Sequence, residues 1–291
     1  MTTHALDGFA THQRGQGLAV TTIRNRASIL RTLERTIEVP LLEMNVTHLR
    51  SYLGRESDRP AGISAGTRRT ERGAMVAFYT FAHEEGWCPE NPTQRLAAVS
   101  APKGEPRPFT IEQVDAMLNS GAYRRTRAMI LLGYYQGFRV SQIARVHGHD
   151  IDVDSGIIRT IGKGSKHGLL PLHPVIAALA ATMPRDGYWF PARSGRTGHV
   201  SGAAVTNLIT NAKYRAGITD PKLTPHSLRH GFATDLVEGG VDIIVVQKLL
   251  MHESLATTQI YSGVSERRKR EGIRTLPERD LVPHSGRGLA A

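Results

Sequence analysis

Apolar residues recur at helical spacing through most of the chain, and the period changes to alternation after Asp150. Four helices are predicted in the first third, over residues 3–14, 21–36, 47–55 and 65–85. In the fourth, Met75, Phe78, Tyr79 and Ala82 keep the i, i+3, i+4, i+7 spacing of a buried stripe, and Arg68 and Arg72 continue that stripe toward the N-terminus. Asn91-Pro92 stops the helical pattern, and three prolines and a glycine between Ser100 and Pro108 mark a linker. Thr110 with Gln113 forms a capping box that opens a second region. A buried helix is expected over 128–135, ended by Gly137, with a short helix after Arg139. The alternating stretch from Asp150 contains two turn signals, Asp154-Ser155-Gly156 and Gly162-Lys163-Gly164-Ser165, and predicts a small antiparallel sheet. Helices resume over 173–182 and 200–216. The expected fold is mainly α with a small antiparallel β-sheet: an all-α domain over 1–98, a linker over 99–109, an α+β domain over 110–276 and a mobile Pro/Gly-rich tail over 277–291.

Charge changes the picture. The 291 residues carry a formal net charge of +11, which favours a polyanionic partner, nucleic acid first. The basic end of the fourth helix, Arg68, Arg69 and Arg72, is expected to project beyond the core and to suit a phosphate backbone, helped by the helix N-terminus. Cys88 is the only cysteine, so an intrachain disulfide and a Cys–Cys metal site are excluded. No apolar run reaches the ~18 residues of a membrane helix, and a signal-peptide core is lacking, so a cytoplasmic protein is expected. Asp150, Asp152 and Asp154 resemble the start of a calcium loop, but Ser155 stands where that loop needs glycine and Ile161 where it needs glutamate. Gly162-Lys163-Gly164 lacks the spacing of a nucleotide-binding loop. Neither a metal nor an organic cofactor is expected.

The stretch LTPHSLRHGFATDLVEGGVDIIVVQKLLMHESLATTQIYS holds the candidate chemistry. At about 100° per residue, His226, Arg229, His230 and Ala233 share one side of a helix, while Leu228, Phe232 and Leu236 form a second, packing side. Gly239-Gly240 ends that helix. VDIIVVQKLLM, apolar almost all round, predicts a buried helix delivering His252, and Ser254 can cap a last helix bearing Tyr261. Each residue alone has an ordinary packing or capping explanation. Together they offer anion binding, proton transfer and a hydroxyl nucleophile in consecutive segments.

The order His-x-x-Arg, a histidine 26 residues after the first and a tyrosine nine further on, with LRHGFAT and TTQIY around them, resembles the tyrosine recombinases, the phage integrase and Xer-like family. The resemblance places two more site residues upstream. Gly137-Phe138-Arg139 fits an arginine after a glycine at a helix end, and Gly162-Lys163-Gly164 fits a lysine in a β-turn. It implies a Xer-like organisation without a separate arm-binding domain, in which the N-terminal helical domain clamps DNA and the second domain is catalytic. The implied catalytic set is Arg139, Lys163, His226, Arg229, His252 and Tyr261, with Arg68, Arg69, Arg72 and Lys166 expected to contact DNA. His230 reads as fold support more than as chemistry. The implied activity is site-specific DNA recombination, cleaving and rejoining strands through a 3′-phosphotyrosine without metal or ATP. The partners are double-stranded recombination sites bound by a homotetramer, and an accessory directionality protein is a further partner that the resemblance allows. A type IB topoisomerase shares the chemistry, and a DNA-binding regulator with a decayed site is a third reading. Two departures stand out: Gln142 where the family usually has an acidic residue, and Met251 where glycine usually precedes the second histidine.

Overall fold

A computed structural model describes residues 2–57, 62–100, 107–162, 167–193 and 197–251. The chain divides into two compact units, Met1–Gly104 and Glu105–Ala291.

Among the described residues, the first unit holds four helices, α1 (Thr2–Gly15), α2 (Val20–Ile37), α3 (Val46–Gly54) and α4 (Ala65–Glu84), with short 3-10 turns at Leu41–Glu43 and Pro92–Arg95. Its core gathers one face of each helix: Leu6 and Phe9, Leu30 and Leu33, Leu49 and Tyr52, then Met75, Phe78 and Tyr79. Phe9 meets Phe78 edge to face at 5.5 Å. The stripe on α4 packs as its spacing predicts. One acidic residue goes inside with it: Glu71 is buried, and Arg55 grips both its oxygens at 2.6 and 3.0 Å. A buried carboxylate is tolerable when paired in this bidentate way.

The N-terminal end of α4 differs from the expectation of a projecting basic end. Arg68 donates to Arg55 O at 3.1 Å, and Arg72 donates through Nε to Ala97 O and through Nη2 to Leu96 O, both at 2.8 Å. Arg69 Nε reaches Val99 O at 3.4 Å. All three side chains turn back onto backbone carbonyls because those carbonyls, outside regular structure, need donors.

The second unit is built around α6 (Arg124–Tyr135), whose Ala128, Met129, Ile130 and Leu132 are fully buried. Around it lie α5 (Ile111–Leu118), α7 (Val140–Arg145), α8 (Pro174–Ala180), α9 (Gly202–Arg215), α10 (His226–Glu238) and α11 (Ile243–Leu249). The Thr110–Gln113 capping box opens α5 as predicted, with Gln113 N on Thr110 Oγ1 and Thr110 N on Gln113 Oε1. Helices α6 and α10 cross closely. A Cβ on Gly133 would lie 2.9 Å from Leu228 Cδ1, and one on Gly231 would lie 2.8 Å from the Tyr134 ring.

Strands β1 (Ile151–Asp152), β2 (Ile157–Ile161) and β3 (His167–Pro171) form an antiparallel sheet in chain order, with Ile158 opposite Leu170 and Thr160 opposite Gly168. Ile158, Thr160 and Leu170 face the core, whereas Arg159, His167 and Leu169 are exposed. The fold is therefore mainly helical with one small antiparallel sheet, as the change of period predicts. Helix α11 departs from its reading as buried all round. Val246 and Leu250 are buried, but Ile244 and Val245 remain 49% and 45% exposed.

Candidate active site

Helix α6 ends where Gly137 adopts φ +64°, a conformation that glycine takes without a Cβ penalty. Phe232 of α10 packs against it so closely that a Cβ would lie 2.6 Å from the ring. This corner sets Arg139 at the N-cap of α7, where the Arg139 amide donates to Gln142 Oε1 at 3.0 Å. Gln142 Nε2 in turn reaches Thr160 Oγ1 on β2 at 3.2 Å.

Helix α10 brings the next two candidates to the same place. Arg229 is 2% exposed, donates to Gly137 O at 2.6 Å, and also donates to Leu250 O at the end of α11. One guanidinium thus joins the α6–α7 corner, α10 and α11. The side of α10 read as presenting polar groups is enclosed in part: Arg229 and Ala233 are buried with Leu228, while His230 is half-buried and His226 exposed. Periodicity cannot reveal this, because the elements that cover Arg229 and Ala233 are distant in sequence.

His226 is exposed at the first turn of α10, and the half-buried His230 ring stands edge to face with it at 4.6 Å. Partial burial, the adjacent His230 ring and the charges of Arg229 and Arg139 together push His226 down to about 4. Burial and Arg229 lower His230 as well. Burial, together with the cationic surroundings that would hold a phosphate, therefore keeps His226 neutral and able to accept a proton.

Arg139, His226 and Arg229 are thus brought together. Lys163, Lys166, His252 and Tyr261 lie outside the described residues. Lys163 falls in the chain between β2 and β3, and His252 directly follows Met251. Arg68, Arg69 and Arg72 belong to the first unit.

Lys213 is not among the residues expected from the sequence. This lysine is 2% exposed on α9 and donates to Asp220 O at 2.8 Å and Leu223 O at 3.1 Å, fixing the loop that leads to His226. Its only signal is a charged residue at an inward helical position beside Ile209 and Ala212. Phe109 N, donating to Ser227 O at 3.2 Å, ties the start of this unit to the same turn.

Residues 108–268 match the family model described as the phage integrase family, which covers more than half of the chain and includes the whole candidate site. The chain belongs to that family. Among tyrosine recombinases of known name, it is 35% identical to XerD of Caulobacter vibrioides over 70% of this chain and 72% of that protein. It is 31% identical to XerC of Corynebacterium efficiens over 89% of this chain and 86% of that protein. Among solved structures, a lambda integrase dimer bound to a COC′ core site superposes with a TM-score of 0.71 at 18% identity, covering 96% of this chain and 80% of that one. A likeness at that identity speaks to the fold. It extends the match beyond the family model to the N-terminal helices.

Proposed function

We propose that this tyrosine recombinase cuts one strand of its DNA site with Tyr261 and stores the bond as a 3′-phosphotyrosine, for rejoining to a second strand. The observation that carries the reading is the convergence of Arg139, Arg229 and a neutral His226 at one corner of the second unit. Two guanidiniums suit the charge that develops on the non-bridging oxygens during in-line attack, since they bind bidentately and do not deprotonate. A guanidinium has five N–H donors, so Arg229 can hold backbone carbonyls and a phosphate oxygen together. His226 takes the Tyr261 proton, Lys163 protonates the departing 5′-oxygen, and His252 hydrogen-bonds the phosphate. Arg68, Arg69, Arg72 and Lys166 contact the DNA backbone. Lambda integrase has been solved as a tetramer bound to a Holliday junction, and we carry a homotetramer on paired sites over to this chain.

The test uses a nicked suicide substrate that releases a short fragment after cleavage, so that a covalent protein–DNA adduct accumulates on a denaturing gel. The wild-type protein should form the adduct. Tyr261→Phe should bind the site as tightly and form none, because only the hydroxyl is lost. An adduct that persists in that variant would place the nucleophile elsewhere.

A further inference from the structure

Met251 has φ +50°, directly after Leu250, the C-cap of α11. At a helix end this left-handed position favours glycine, and a longer side chain holds it only where its surroundings compensate. Here they are specific. The Met251 thioether reaches β3 at Gly168, where a Cβ would lie 2.5 Å from Cε and 2.8 Å from Sδ. Only a glycine in that strand leaves room for it. From the other side, Gln142 Nε2 approaches Met251 Sδ at 3.9 Å while it bonds Thr160 Oγ1, which belongs to the residue facing Gly168 across the sheet. The same glutamine holds the Arg139 amide through Oε1. Arg229 secures the preceding carbonyl, Leu250 O.

The two positions at which the sequence departs from its family's pattern therefore touch each other. Their chemistry is interdependent. A carboxylate at position 142 has no proton to offer a thioether, whereas an amide N–H serves both sulfur and hydroxyl. A glycine at position 251 would relax the backbone, but it would leave the space at Gly168 unfilled and Gln142 without its sulfur partner.

We propose that Met251 and Gln142 form a latch that fixes the end of α11 against strands β2 and β3, making Met251 a positioning residue for His252, the next residue in the chain, and for Lys163, which falls between the two strands in sequence. The latch aligns groups supplied by three separate segments: Arg139 at the head of α7, Lys163 between the strands, and His252 after α11. Its catalytic consequence rests on the proposed roles of Lys163 and His252; its existence does not.

The decisive variants are Met251→Gly, Met251→Leu, Gln142→Glu and the double variant Met251→Gly/Gln142→Glu. Met251→Gly removes left-handed strain, so its thermal midpoint should hold or rise while single-turnover cleavage of saturating DNA falls by about tenfold, with site affinity unchanged. A merely structural side chain would lower stability and rate together. Met251→Leu, which keeps an apolar plug, should restore most of the rate. The double variant should cleave faster than the product of the single effects predicts. A Met251→Gly protein that cleaves at the wild-type rate, or strict additivity of the pair, would overturn the proposal. The contact has its own readout: a labelled Met251 methyl in the wild-type protein should show a nuclear Overhauser effect to the Gly168 α-protons. Its absence overturns the latch even if cleavage occurs. If the wild-type protein forms no adduct while that signal is present, the function has failed and the latch has not.

Discussion

A single residue, His226, shows how the site can combine anion binding with base chemistry. Burial first, and then a second imidazole and two guanidiniums close by, hold it at about 4, below the ~6.5 of an unfolded chain. The direction fixes the pH dependence. Between those values the unfolded chain takes up a proton that the folded one refuses, so the His226 contribution to stability is lost as pH falls from about 6.5 toward 4. Above that window His226 is neutral and ready to accept a proton, and a bound phosphate will draw it upward toward the pH of the reaction. NMR titration of the free protein should therefore place the His226 midpoint well below 6.5. His230→Asn removes one of the causes and should raise that midpoint, with a smaller loss of stability between pH 7 and pH 4 than in the wild type. An unmoved midpoint would mean that the ring-to-ring approach has no electrostatic consequence.

At the scale of elements, most of the helices, the sheet and the α5 capping box were legible, because each depends on neighbours a few residues away. What periodicity could not show was where long polar side chains go. Arg68 and Arg72 continue the stripe of α4 as read, but three of the carbonyls that they hold, Arg55 O, Leu96 O and Ala97 O, lie 13 to 25 residues away in sequence. Arg229 was legible as a candidate clamp by motif, yet its ties to Gly137 and Leu250 span 92 and 21 residues. Both cases concern the same physics: a guanidinium is long enough to satisfy distant backbone groups, and the sequence records its charge but not its destination. The geometry makes the proposed DNA role of α4 separable from its structural role. Arg72→Ala should cost about 1 kcal/mol of stability through the lost carbonyl bonds, and should also flatten the dependence of log affinity on log salt. Arg72→Lys keeps the charge but not the two-carbonyl fork, so it should recover the salt slope and not the melting temperature. If Arg72→Ala leaves the slope unchanged, the arginine serves only the backbone.

Over the whole molecule, the proposed function assigns DNA binding to the formal charge of +11 and the chemical step to the few groups gathered at the α6–α10 corner. Salt separates the two. Affinity for DNA should fall by about a thousandfold or more between 50 and 200 mM salt if six or more phosphates are contacted. The single-turnover rate of DNA already bound should barely change, because enclosed guanidiniums such as Arg229, which is 2% exposed, are poorly screened. The same division predicts the response to metal removal. The proposed function assigns the positive charge that the transition state needs to Arg139 and Arg229 together with Lys163, and proton transfer to His226, so it leaves no step for a divalent ion. Cleavage should proceed at an unchanged rate in excess chelator. A strict requirement for Mg²⁺ would mean that a metal, and not the guanidinium pair, carries the charge of the transition state, and the roles of Arg139 and Arg229 would have to be reassigned to holding the fold.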